Sequence, residues 1–200
     1  MRLVTMTCFL LIFATPAWAD VNGADFDNQP QGPYVGGATV NPPGATGVEI
    51  VPDSPGFMGA SNLGNGQGNM LRIDTVNHPG PIHVTFTFQC EVLDEHLCRV
   101  KYNYAAAAWV FGGGFAVYVD DPTLSNPDHA WEEPLLIPPT TVGPGEETEN
   151  AGDCDGSSHQ ITFVVYPNTI MHIDNLDTEC LENVVPNEKH SWSTLKALYR

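Results

Sequence analysis

Ile82 to Cys90 (IHVTFTFQC) and Cys98 to Tyr104 (CRVKYNY) alternate apolar and polar positions with a period of two. That is the pattern of strands with one buried face. The same alternation runs through Gln160 to Tyr166, Thr169 to Leu176 and Phe115 to Val119, and Val48 to Val51 and Asn69 to Val76 (NMLRIDTV) read as further strands. Val21 to Phe26 and Leu135 to Ile137 are candidate edge strands. Between them lie stretches rich in turn residues: Asp20 to Gly47, Ser54 to Gly68, a long loop to Pro134 that carries Trp131, and an acidic, Gly-rich loop from Thr140 to Ser158. Seven or eight short strands separated by turns predict an all-β, antiparallel sandwich of the jelly-roll kind over residues 20–180.

Strand register suggests how the cysteines pair. If Cys90 faces Cys98 in a hairpin, Phe88 stands opposite Val100, Phe86 opposite Tyr102 and Val84 opposite Tyr104, so inward residues meet inward residues. A second hairpin around Pro167-Asn168, pairing Phe163 with Met171 and Ile161 with Ile173, brings Cys154 level with Cys180. The expected disulfides are therefore Cys90–Cys98 and Cys154–Cys180, although four cysteines allow three pairings. A four-cysteine zinc site is disfavoured, because no C-x-x-C knuckle is present.

The two ends of the chain differ from its middle. Arg2, the apolar run Cys8 to Ala14 and Ala17-Trp18-Ala19 read as a signal peptide over residues 1–19, cleaved before Asp20. The apolar run is well short of the roughly 20 residues that span a bilayer. The expectation is secretion, to the cell surface, periplasm or medium, with oxidised cysteines. Residues 181–200 form a tail in which Trp192, Leu195, Leu198 and Tyr199 fall at helical spacing, with Lys196 and Arg200 in the later turn, so a short amphipathic helix is expected there. The ten residues SWSTLKALYR resemble a C-terminal tail of secreted bacterial proteins.

Charge narrows the partners. The net charge is −17, and Asp20 to Cys180 holds 22 acidic and three basic residues. Such a surface repels phosphate backbones and anionic headgroups, which argues against nucleic acid and against a membrane surface.

Phe26-Asp27, the strand Gly68 to Asp74 (GNMLRID) and the closing segment Thr169 to Cys180 (TIMHIDNLDTEC) resemble secreted bacterial jelly rolls of the galactose-binding-like, carbohydrate-binding-module and MAM type. The resemblance implies a structural calcium held by Asp27 and Asp174, with Asp25, Asn28 and Asn175 as supporting oxygen donors. It also implies a non-catalytic domain that recognises carbohydrate or another surface component. A hard cation needing six to eight oxygens suits that set of residues.

For a sugar, the aromatic platform expected is Trp131, with Asp128, His129, Glu132 and Glu133 as polar partners, and Trp109 and Tyr118 as secondary candidates. Two alternatives stand beside this reading. One is a subunit of an extracellular assembly, docking through a sheet edge or the tail. The other is a sandwich glycoside hydrolase or lyase using Asp94-Glu95, Asp120-Asp121 or Glu132-Glu133, but adjacent strand residues point to opposite faces, so each pair would need a partner from elsewhere. No G-x-S-x-G, H-E-x-x-H or H-x-H string occurs. His129 with Glu132, or His172 with Asp174, are further possible metal pairs.

Overall fold

The structure, a computed structural model, describes residues 21–53, 68–90, 92, 96–110, 112–132 and 140–182. The expected signal peptide, the tail helix, Leu135 to Ile137, Asp94-Glu95 and Glu133 lie outside the described residues.

Among the described residues there are eleven strands: β1 (Gly32–Pro33), β2 (Thr39–Asn41), β3 (Val48–Pro52), β4 (Asn69–Asp74), β5 (Ile82–Gln89), β6 (His96–Ala108), β7 (Gly114–Val119), β8 (His129–Glu132), β9 (Thr140–Asp153), β10 (Ser158–Val165) and β11 (Thr169–Glu182). They form two antiparallel sheets, ordered β1-β3-β4-β11-β6-β9 and β2-β5-β10-β7-β8. The expected all-β sandwich is therefore what this sequence builds. Among the described residues no helix is long and apolar enough to cross a membrane.

The alternating positions make the core. Ile82, Val84 and Phe86 of β5, Phe115 and Val117 of β7, and Ile161, Phe163 and Val165 of β10 are fully buried from one sheet. Leu71 and Ile73 of β4, Cys98, Val100 and Tyr102 of β6, and Met171 and Ile173 of β11 meet them from the other. Each large apolar side chain so removed from water contributes roughly 1.5–3 kcal/mol. Tyr102 meets Phe163 edge-on across the two layers, with ring centroids 5.2 Å apart at 89°, the arrangement that aromatic quadrupoles favour.

Two expectations about connectivity are corrected. Neither predicted hairpin exists: β5 and β6 lie in different sheets, as do β10 and β11. An inward-facing alternation satisfies both arrangements, since facing residues of two packed sheets are as mutually apolar as cross-strand neighbours. The Cys90–Cys98 disulfide does form, with its Cα atoms 5.9 Å apart, and it joins the end of β5 to β6 across the sandwich. Cys154 and Cys180 are thiols, so the second expected bond is not made, although their side chains are in hydrogen-bonding contact. The other correction concerns loops. Residues 140–153 form a strand, β9, paired along β6 at the edge of the sheet, and His129–Glu132 form β8 against β7. Neither strand carries a clear apolar alternation, because an edge strand buries only part of one face.

Candidate functional site

The closing segment and the N-terminal segment meet at an open cleft of about 560 Å³ lined by Asp25, Asp27, Lys101, Asn103, Glu146, Asp174 and Asn175, among others. Asp27 is placed by the sequence around it. Phe26 enters the core, its ring 6.1 Å from that of Phe86, which leaves Asp27 exposed at the rim. There Asp27 Oδ1 accepts a 2.8 Å hydrogen bond from the Asn69 amide at the start of β4. Gly68 permits this approach. Its φ is +87°, and a Cβ built there would stand 1.8 Å from Asp27 Oδ1.

Asp174 comes from the middle of β11, where the ladder with β6 is interrupted between Asp174 and Asp177. It is buried, at 6% exposure, and accepts 2.8 Å from the Asn175 amide. Burial pushes its carboxyl up to about 6, partly offset by the Asn175 amide and reinforced by the nearby carboxylates of Asp53 and Asp27. Asp53, itself buried at the end of β3, was not anticipated from the sequence. It directly follows β3, and no motif marks it. Carboxylates from two other segments thus bear on Asp174. Lys101, which lines the cleft, pairs there with Glu146 at 3.1 Å, and Arg72 of β4 pairs with Glu49 and Asp74.

The acidic donors here are oxygens, the ligand type that a hard divalent cation takes, but the ligand atoms of Asp27, Asp53 and Asp174 do not all lie within 4.8 Å of one another. Of the supporting residues, Asn28 is turned to Asp25, 2.8 Å away, and Asn175 to Asn103, 3.0 Å away.

The residues expected around Trp131 are only partly gathered. Trp131 and His129 share the inner face of β8, and the Trp131 ring packs on Phe115 at 6.3 Å. His129 lies between Tyr104, at 5.3 Å, and Phe115, at 5.5 Å. Glu132 alternates to the outer, exposed side of β8. Asp128 Oδ2 accepts 2.8 Å from the Val119 amide, closing the preceding loop. Tyr118 is buried with Ala116 and Val164 on the outer face of its sheet, and Trp109 is half-buried.

One hydrogen-bond chain has the order of a nucleophile, base and orienting acid. Ser157 Oγ lies 3.1 Å from His159 Nε2, and His159 Nδ1 lies 2.7 Å from Asp120 Oδ2. Its surroundings oppose acyl transfer. The Ser157 amide donates to Asp155 Oδ1 at 2.8 Å, so that donor is already engaged by a carboxylate rather than offered to a developing oxyanion. The chain instead ties the start of β10 to the end of β7, where Asp120 Oδ1 also accepts from the Gln160 amide at 2.9 Å. Asp121 is likewise structural: its carboxylate accepts from the amides of Thr123, Ser125 and Asn126, and with the Thr123 hydroxyl these bonds hold it well below the usual carboxylate range.

No family model and no curated protein matches the chain. Among solved structures it is similar to the K1 cleaved adhesin domain of Lys-gingipain from Porphyromonas gingivalis W83, at 13% identity over 79% of this chain and 95% of that one, with a TM-score of 0.44. The K2 cleaved adhesin domain of Lys-gingipain is similar at 13% identity over 80% and 97%, with a TM-score of 0.48. The module TmCBM61 in complex with β-1,4-galactotriose is similar at 13% identity over 72% and 86%, with a TM-score of 0.38.

Proposed function

We propose that this chain is a secreted, non-catalytic binding domain that takes carbohydrate or another extracellular surface component, and that a calcium ion held by Asp27 and Asp174 fixes the binding end of its sandwich. The observation that supports the reading is the buried Asp174, whose carboxyl is raised to about 6 by burial and by the nearby charges of Asp53 and Asp27. A buried anion beside two others is costly without a counter-charge. Calcium supplies that charge and accepts carboxylate and carbonyl oxygens together.

The residues of this chain divide the work. Asp174 and Asp27 hold the cation, with Asp53 contributing negative charge from below. Asp27 and Asn69 bind residues 21–31 to β4, so the ion joins the entering segment to the last strand. Asp25, Asn103, Asn175 and Lys101 then line a cleft open to solvent, whose amides, carboxylates and ammonium group match the hydroxyls of a polyol. Secretion accords with the Cys90–Cys98 bond.

Affinity electrophoresis tests the reading. The chain is run through gels holding neutral or acidic polysaccharides, once with calcium and once with excess chelator. Calcium-dependent retardation in at least one polysaccharide, lost in Asp174→Asn, is expected. Equal mobility in every gel, or release of reducing sugar from the polysaccharide, overturns it.

A further inference from the structure

At the side of the sandwich, the edge strand of one sheet faces the edge strand of the other, and three metal-binding side chains point into the gap between them. His129 stands opposite the fully buried Val117 in the β7–β8 ladder, so it faces inward. Glu147 stands opposite Tyr102 and Glu149 opposite Val100 in the β6–β9 ladder. Both partners are fully buried core residues, so both glutamates also face inward. One ligand atom from each of His129, Glu147 and Glu149 lies within 4.8 Å of the other two.

A second observation makes this more than a cluster of charges. The Tyr102 side chain is 0% exposed, and its buried hydroxyl has no hydrogen-bond partner, an arrangement that ordinarily costs about 1–3 kcal/mol. That hydroxyl lies in the field of Glu149, Glu147 and Asp128. His129 Nε2 is buried without a partner as well. Two orphaned polar atoms and two half-buried carboxylates therefore share one pocket between the sheets.

From this arrangement we infer that His129, Glu147 and Glu149 form a second cation site, selective for a divalent transition metal such as Zn²⁺. One imidazole and two carboxylates suit zinc, whereas calcium takes oxygen ligands. Three donors on one zinc ion stand about 3.3 Å apart, so small rotations of the two glutamates close the set. The ion neutralises their mutual repulsion and joins β8 to β9, two edges that share no backbone ladder. The side chains of His129 and Glu147 remain 23% and 36% exposed, which gives the ion a path from solvent.

The site uses none of the calcium ligands, so the two fail separately. The chelator-stripped, full chain is titrated with Zn²⁺ by calorimetry. One saturable site is expected, weakened at least tenfold in both His129→Gln and Glu149→Gln and unchanged in Asp174→Asn and in the double variant Cys154→Ser/Cys180→Ser. Absence of saturable binding, binding kept by both His129→Gln and Glu149→Gln, or loss in the cysteine variant overturns the inference. Circular dichroism checks that each variant folds. Should His129→Gln and Glu149→Gln fail to fold, Co²⁺ is added to the unaltered chain. Visible d–d bands without thiolate charge transfer support the site; thiolate charge transfer, or no bands, overturns it.

Discussion

Asp27 depends on a residue with no side chain. Because Gly68 adopts φ +87° and a Cβ there would overlap Asp27 Oδ1, Gly68→Ala costs about 1–2 kcal/mol from the left-handed backbone alone. It also displaces Asp27 from the Asn69 amide. Urea unfolding is expected to show that loss, and the variant's response to calcium is expected to weaken with it. His172 supplies a pH signature. Burial, with the Arg72 charge in second place, brings its imidazole down to about 4 from 6.5, so the folded state holds it neutral. Its contribution is full above pH 6.5 and is lost as pH falls toward 4, because the unfolded chain takes the proton first. The unaltered chain and His172→Gln, compared in chelator, are expected to converge over that window by on the order of 3 kcal/mol. A constant difference between them would contradict this. Asp27 and Asp174 were singled out through the resemblance of their short motifs to secreted jelly rolls, not through any pattern of their own. Asp53, Glu147 and Glu149 had no such mark, since nothing local distinguishes a carboxylate that will face a gap from one that will face water.

At the scale of elements, period two exposes strands but not their partners. Phe86 and Tyr102 were rightly assigned to the same interior, yet they enter it from different sheets, because one alternation serves both a hairpin and a sandwich. The edge strands β8 and β9 escaped for the opposite reason: burying half a face, they carry Thr, Glu, Gly and Pro where a central strand carries Val and Ile, and Pro144 fits an edge that need not donate on both sides. The Cys90–Cys98 bond, spanning eight residues, does more here than close a hairpin, since it links the layers. Chain entropy alone assigns it about 2.5 kcal/mol. Cys90→Ala/Cys98→Ala is expected to lose about that much in denaturant unfolding while keeping the sandwich's circular dichroism. The neighbouring Cys154 thiol, pushed up to about 12 mainly by burial, with Cys180 adding to it, is expected to resist alkylation at pH 8 in the folded chain.

For the whole molecule, the charge of −17 is more than a solubility device. The body concentrates carboxylates and buries a few of them, Asp53 and Asp174 among them, and on the proposed reading cations become part of the fold. On this account the sandwich supplies rigid edges, and divalent ions fix the segments that the core alone does not hold. The direct test is thermal unfolding at pH 7 with saturating calcium and then with excess chelator, for the unaltered chain and Asp174→Asn. An ion at 100 times its dissociation constant adds about 2.7 kcal/mol, or roughly 5–10 °C for a domain of this size. The account predicts that shift for the unaltered chain and none for Asp174→Asn, which in chelator melts above the unaltered chain because its buried charge is gone. A calcium response that persists in Asp174→Asn, or is absent from both, would contradict it.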